Sequence, residues 1–214
     1  MGNIKRQDGT PIYIGTAASS PLRRINLTSS ISSGYNEAWV QQLIHEHPAV
    51  FPLQQIESSM GSAIAVCREL PLAFGGGRTG ALDNILVTGT GGLVLIETKL
   101  WRNPESRRTV VAQAMEYAAA IFRMSYDELE AAILSARRSA GEETRSLYEI
   151  AGIDGEFEEP AFIDAVTLNL RRGRAIVAVV GDGIREDILP LAELLQAHAG
   201  LRFTFVLIEL GVFE

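Results

Sequence analysis

The chain has 214 residues, 47% of them hydrophobic and 21% charged, which is ordinary for a globular protein and enough to bury the core of one domain. Its net charge of −7 excludes a strongly basic nucleic-acid coat, though not a local basic patch. The single cysteine, Cys67, excludes internal disulfides and thiolate-rich zinc sites and makes the cytoplasm the default location, while no apolar run reaches the eighteen or so residues of a membrane span and no signal-peptide core follows Met1.

Residues 1–35 are polar and rich in Gly, Ser, Thr and Pro, with short apolar pieces at Ile12-Tyr13-Ile14 and Ile25-Asn26-Leu27, and are expected to form an N-terminal arm or small hairpin. The rest, 36–214, reads as one α/β domain. Asn36 caps a helix over 37–47 that Pro48 stops, with Trp39, Val40, Leu43 and Ile44 as its apolar stripe. Glu37 falls in the first turn, where the helix dipole favours a carboxylate. His45 and His47 are two residues apart and so do not share a helical face, which argues against a metal pair.

The first core strand spans 63–70 and carries Cys67, read as a small buried hydrophobe. A flexible loop follows over 75–80; it lacks the lysine and hydroxyl that a P-loop needs after Gly80. Strands over 82–88 and 93–99 then flank Thr88-Gly89-Thr90-Gly91-Gly92, turn residues that tolerate positive φ. Pro104 opens a helix running to about Arg123, with Val110, Val111, Ala114, Met115, Ala118 and Ile121 as its buried stripe and Gln113 and Tyr117 on the flank. Ser125 caps a second helix to about Arg138. A polar, acidic connection with a short helical piece near Leu147 leads to a helix over 160–170, so that 124–172 reads as a helical insertion. A buried strand at 174–180, a helix over 185–198 and a last strand at 201–208 complete the order. Gly181-Asp182-Gly183 lacks the third glycine of a dinucleotide fingerprint and reads as a tight strand-to-helix turn. Glu214 comes just after an apolar strand, an ending expected of a longer or truncated protein. The alternation of elements predicts a mixed sheet flanked by helices.

The chemistry concentrates in 80–120. If the hairpin closes symmetrically about Thr90, residues whose numbers sum to 180 face each other, which sets Asp83 opposite Glu97 with Cβ atoms roughly 4.5–5.5 Å apart. Period-2 alternation adds Lys99 to the face of Glu97. Opposed carboxylates repel, and a divalent cation between them removes the repulsion; hard oxygen ligands suit Mg²⁺ or Mn²⁺. Arg102, Arg107 and Arg108, with Lys99, form a basic cluster beside this place, suited to phosphates or else to pairing with nearby acids such as Glu105.

Asp83, a gap of thirteen residues and Glu97-Thr98-Lys99 resemble the PD-(D/E)xK motif of the restriction-endonuclease-like nuclease superfamily, and Gln113-Ala114-Met115-Glu116-Tyr117 is similar to the Q-x-x-x-Y element of several of its branches, here a bacterial one. Leu82 stands where the motif has proline. The resemblance implies a restriction-endonuclease-like core with extra helices, the strand at 174–180 lying parallel to the one that carries Glu97. It implies Mg²⁺- or Mn²⁺-dependent hydrolysis of nucleic acid, favouring DNA, as an endonuclease or exonuclease. Asp83 and Glu97 are then the metal ligands, Lys99 acts on the attacking water and the developing charge, and Glu37 stands where the superfamily brings an acid from its first helix. Gln113 and Tyr117 orient the site from behind, a role to set against a plain helix–sheet polar contact. The rival expectation is a catalytically silent nuclease-like module that binds nucleic acid. A homodimer is compatible with either.

Overall fold

The computed structural model describes residues 6–8, 12–13, 24–25, 27, 35–100, 106–152, 158–183, 189–197 and 202–213. These form a mixed α/β fold. Its centre is a sheet of strands β1 (Arg6–Asp8), β3 (Ala63–Ala73), β4 (Thr79–Thr88), β5 (Leu93–Lys99), β6 (Ile176–Gly181) and β7 (Thr204–Glu209), ordered β1-β7-β6-β5-β4-β3. β3, β4 and β5 run antiparallel as a meander; β6 joins β5 in parallel, and β7 and β1 continue in parallel. Two further short strands, β2 (Ile12–Tyr13) and β8 (Val212–Phe213), pair with each other. The two strands described within 1–35 thus pair with strands near the end of the chain.

Among the described residues seven α-helices flank the sheet: α1 (Glu37–Glu46), α2 (Leu53–Ile56), α3 (Ser106–Ile121), α4 (Tyr126–Ser139), α5 (Leu147–Ile150), α6 (Glu159–Arg172) and α7 (Leu189–Ala197). Alternation along the strands sorts the core into two layers. Leu93, Leu95, Val177, Val179, Phe205 and Leu207 face α3, α4 and α6. Val94, Ile96, Ile176, Ala178, Val206 and Ile208 face α1 and α2. Because β5, β6 and β7 are covered on both sides, they are apolar on both faces, as parallel strands must be.

Local signals account for the element ends. Asn36 accepts the Trp39 N–H at 2.9 Å and so caps α1. Ser125 and Glu128 form a reciprocal capping box on α4, as Ser146 and Glu149 do on α5. In the β4–β5 turn Gly91 adopts φ +77° and donates to the Thr88 carbonyl at 2.9 Å. The resulting register pairs Asn84 with Ile96, Ile85 with Leu95, Leu86 with Val94 and Val87 with Leu93, so the sum-of-180 register holds. β3 lies at the sheet edge and is covered by α4; where its register slips between Ala65 and Cys67, the Val66 carbonyl accepts from Arg137 at 2.9 Å. Cys67 is buried with its thiol pushed up to about 12, chiefly by burial, which makes it a packing residue. Among the described residues no helix is long and apolar enough to cross a membrane.

Candidate active site

The β4–β5 ladder ends at Asn84 and Ile96. Beyond it the Asp83 carboxylate takes over as acceptor, receiving the Thr98 backbone N–H at 2.6 Å. β5 meanwhile stays paired with β6 through Thr98–Val180 and Lys99–Gly181. The acid end of the hairpin is therefore held by side chains, and α1 and α3 supply more of them from the two layers.

From α1, Gln41 donates its side-chain amide to Asp83, and the Gln41 carbonyl receives Asn84 Nδ2 at 3.0 Å. Glu37 does more than sit at a helix start: its carboxylate lies 3.0 Å from Lys99 Nζ and accepts the Leu100 N–H at 3.0 Å. From α3, Tyr117 receives hydrogen bonds on its hydroxyl from Gln113 and from the Ala81 backbone. With two donors engaged, the Tyr117 O–H proton is free to point at an acceptor.

Tyr117 departs from the flank position expected of it. It is 5% exposed, belongs to the core layer under α3, and packs its ring 5.6 Å from that of Phe74. α3 is rotated so that this residue faces the sheet, and Gly80 makes room: a Cβ there would stand 3.0 Å from the Tyr117 ring and 2.9 Å from Phe74. Gln113 remains half-buried.

The electrostatics converge on the acid pair. Glu97 is 7% exposed; burial, then the charge of Asp83, push its carboxyl up to about 9, with Lys99 opposing and Glu37 adding. Burial also pushes Asp83 up to about 6 against the hydrogen bonds from Thr98 and Gln41, with Glu37 and Glu69 adding to the rise. Burial raises the proton affinity of both acids and the Asp83 charge raises that of Glu97 further, a perturbation of the kind that gathers at functional sites. Tyr117 feels both charges, which reinforce the upward push of burial on its hydroxyl.

Four of the five buried side-chain polar atoms that have no hydrogen-bond partner among the described residues belong to this corner: Gln41 Oε1, Asn84 Oδ1, Glu97 Oε2 and Thr98 Oγ1. Buried polar atoms normally find partners, so their concentration here points to a place built for something other than stability. The fifth, His45 Nδ1, lies elsewhere; its ring contacts Glu142 at 3.4 Å.

Sequence reasoning overlooked Gln41 and Glu69. Glu69 is the sole non-glycine residue with positive φ among those described, at +51°, and it falls where β3 runs opposite Asp83, between the pairs Arg68–Asn84 and Leu70–Leu82. A bulky residue held in the left-handed region is strained, and such strain gathers at functional positions. Gln41 follows Glu37 by one helical turn, a spacing that places both on the same flank of α1 and was a readable signal.

The Asp83–Glu97 pair, with Glu97 Oε2 unsatisfied, fits a hard divalent cation of the Mg²⁺ type, which takes one or two carboxylates and completes its shell with water and phosphate oxygens. A cage made of protein alone is not present: among the described residues no three His, Cys, Asp or Glu side chains gather into one. Arg102 lies outside the described residues, and so do the side chains of Arg107 and Arg108, whose backbone forms the first turn of α3.

The fold and this corner define an α/β protein with a buried, lysine-flanked carboxylate pair at the end of a central hairpin. No family model, curated protein or solved structure matches the chain.

Proposed function

We propose that the chain is a metal-dependent phosphodiesterase of nucleic acid, with DNA as the favoured substrate, on a restriction-endonuclease-like core and acting in the cytoplasm. The observation that carries this reading is the juxtaposition of Asp83 and Glu97, two desolvated acids whose carboxyls are pushed up chiefly by burial, Glu97 further by the charge of Asp83, with Lys99 two residues beyond Glu97. A structural ion pair does not need two carboxylates, and a packing site does not need one.

Asp83 and Glu97 would hold Mg²⁺ or Mn²⁺, which supplies polarisation of the phosphate and a more acidic water. Thr98 N–H and the Gln41 amide orient Asp83. Lys99 places a positive charge beside the reacting phosphate, where it stabilises charge developing on oxygen. Glu37 holds that ammonium in place through an ion pair at 3.0 Å. Tyr117, contacted by Gln113 and Ala81, lies within electrostatic reach of both acids.

The test is incubation of the purified chain with plasmid, single-stranded DNA and RNA, with and without Mg²⁺ or Mn²⁺. Metal-dependent cleavage lost in Glu97→Gln is the expected result. Binding of DNA without cleavage of any substrate, identical in wild type and Lys99→Ala, assigns the silent binding module instead.

A further inference from the structure

At the opposite end of the sheet three arginines share one groove. Arg172 ends α6, Gly173 turns the chain at φ +60°, and Arg174 stands two residues before β6. Arg202 stands two residues before β7, and the parallel register sets Ile176 beside Thr204, so Arg174 and Arg202 approach the sheet at matched positions. Neighbouring strands lie about 4.8 Å apart, and like charges side by side at that spacing repel.

The three side chains line a hollow of about 390 Å³. Arg174 and Arg202 also line an adjoining hollow of about 350 Å³ whose walls include Thr90, Asn169 and Thr204. All three arginines are exposed, and none has a carboxylate partner or any side-chain hydrogen bond among the described residues. Glu57 is on the wall of the second hollow, but its carboxylate accepts from Ser59 at 2.7 Å and pairs with no arginine.

The chain holds 26 acidic and 19 basic residues, so carboxylates outnumber the cations they could pair with. Elsewhere Arg24, Arg78, Arg137 and Arg145 each meet a glutamate at 2.9 Å. The C-terminal dipole of α6 accounts for a cation at Arg172. It does not account for Arg174 or Arg202, which precede strands.

We propose that Arg172, Arg174 and Arg202 form an oxyanion site for phosphate groups, separate from the carboxylate site. Guanidinium forks match phosphate oxygens in pairs, and a phosphate held among them relieves their mutual repulsion. The adjoining hollow falls in the size range of small-ligand pockets and offers hydroxyl and amide groups to whatever the phosphate is attached to. From Arg174 to Gly181, the partner of Lys99, the strand runs on the order of 20 Å, so the two sites are separable and this one stands without the nuclease reading.

The test is calorimetric titration of metal-free protein with inorganic pyrophosphate and, separately, with a single-stranded oligodeoxynucleotide. Arg174→Gln/Arg202→Gln should lower pyrophosphate affinity by about tenfold or more, while Asp83→Ala binds as wild type does and Arg171→Gln, which removes a neighbouring charge outside the groove, changes affinity little. An equal loss for the oligonucleotide identifies the phosphates as nucleic-acid backbone; a loss confined to pyrophosphate identifies a small phosphorylated ligand. These side chains are exposed, so melting curves should be unchanged. Binding of neither probe by wild type, or undiminished binding of both by the double variant, overturns the proposal.

Discussion

Glu37 and Lys99, separated by 62 positions in sequence, meet at 3.0 Å, and the same glutamate accepts the Leu100 N–H, so the first turn of α1 clamps the end of β5. The clamp makes Glu37 a positioning residue for the ammonium. Lys99→Ala should abolish cleavage yet leave metal binding intact, since lysine is not a ligand. Glu37→Gln keeps an acceptor for Leu100 but frees Lys99, and cleavage should fall by about 10–100-fold, a typical cost of losing a supporting partner. Single-turnover assays alongside Mn²⁺ titrations check this; Glu37→Gln cleaving at the wild-type rate would remove Glu37 from the site.

Asp83→Ala should eliminate Mn²⁺ binding. One carboxylate of the pair is then gone, and the Thr98 N–H loses its acceptor as well. Calorimetric titration that finds the same affinity in wild type and variant would dissolve the metal assignment.

Stability should depend on pH in a direction set by the acid pair. Glu97 ordinarily loses its proton near 4.5 but holds it up to about 9 in the fold, and Asp83 is raised from 3.8 to about 6. Across that window the folded chain binds more protons than the unfolded one, so metal-free protein loses stability as pH rises from about 4 to 9. At pH near 8 Glu97→Gln should melt several degrees above metal-free wild type, at about 2–4 °C per kcal/mol for a chain of this size. Added Mn²⁺ should stabilise wild type and not the variant. A variant that melts lower at high pH refutes this account of the pair.

Tyr117→Phe retains the ring packed on Phe74 and loses only the hydroxyl that Gln113 and Ala81 contact. Its stability cost should be about 1 kcal/mol, and Gln113→Ala should cost no more. Both should slow cleavage while thermal melts remain cooperative. If either variant chiefly unfolds the domain, the pair is a packing feature and leaves the site.

Glu69→Gly should stabilise the fold by about 1 kcal/mol or less: glycine adopts φ +51° without strain, although greater freedom in the unfolded chain offsets part of the gain. The same change removes a negative charge beside Asp83 and should weaken Mn²⁺ binding. A variant less stable than wild type would show that the left-handed backbone carries no strain.

Much of the central hairpin was legible from residues alone. The Thr88–Gly92 turn set the register, and alternation of apolar residues brought Asp83 and Glu97 to the same end of two strands. The caps at Asn36 and Ser125 were equally local. All of these depend on interactions within one turn or one hairpin, where spacing in sequence translates directly into spacing in space. The clamp of Glu37 on Lys99, the contact of Gln41 with Asp83 and the strained Glu69 depend instead on how α1 and β3 dock against β4 and β5. The burial of Tyr117 follows from the rotation of α3 on the sheet, which Gly80, far from it in sequence, permits by having no side chain. The meeting of Arg174 with Arg202 arises because β6 and β7 lie side by side in parallel. Those relationships come from closing long loops and packing two layers onto one sheet, and no periodicity within a segment encodes them.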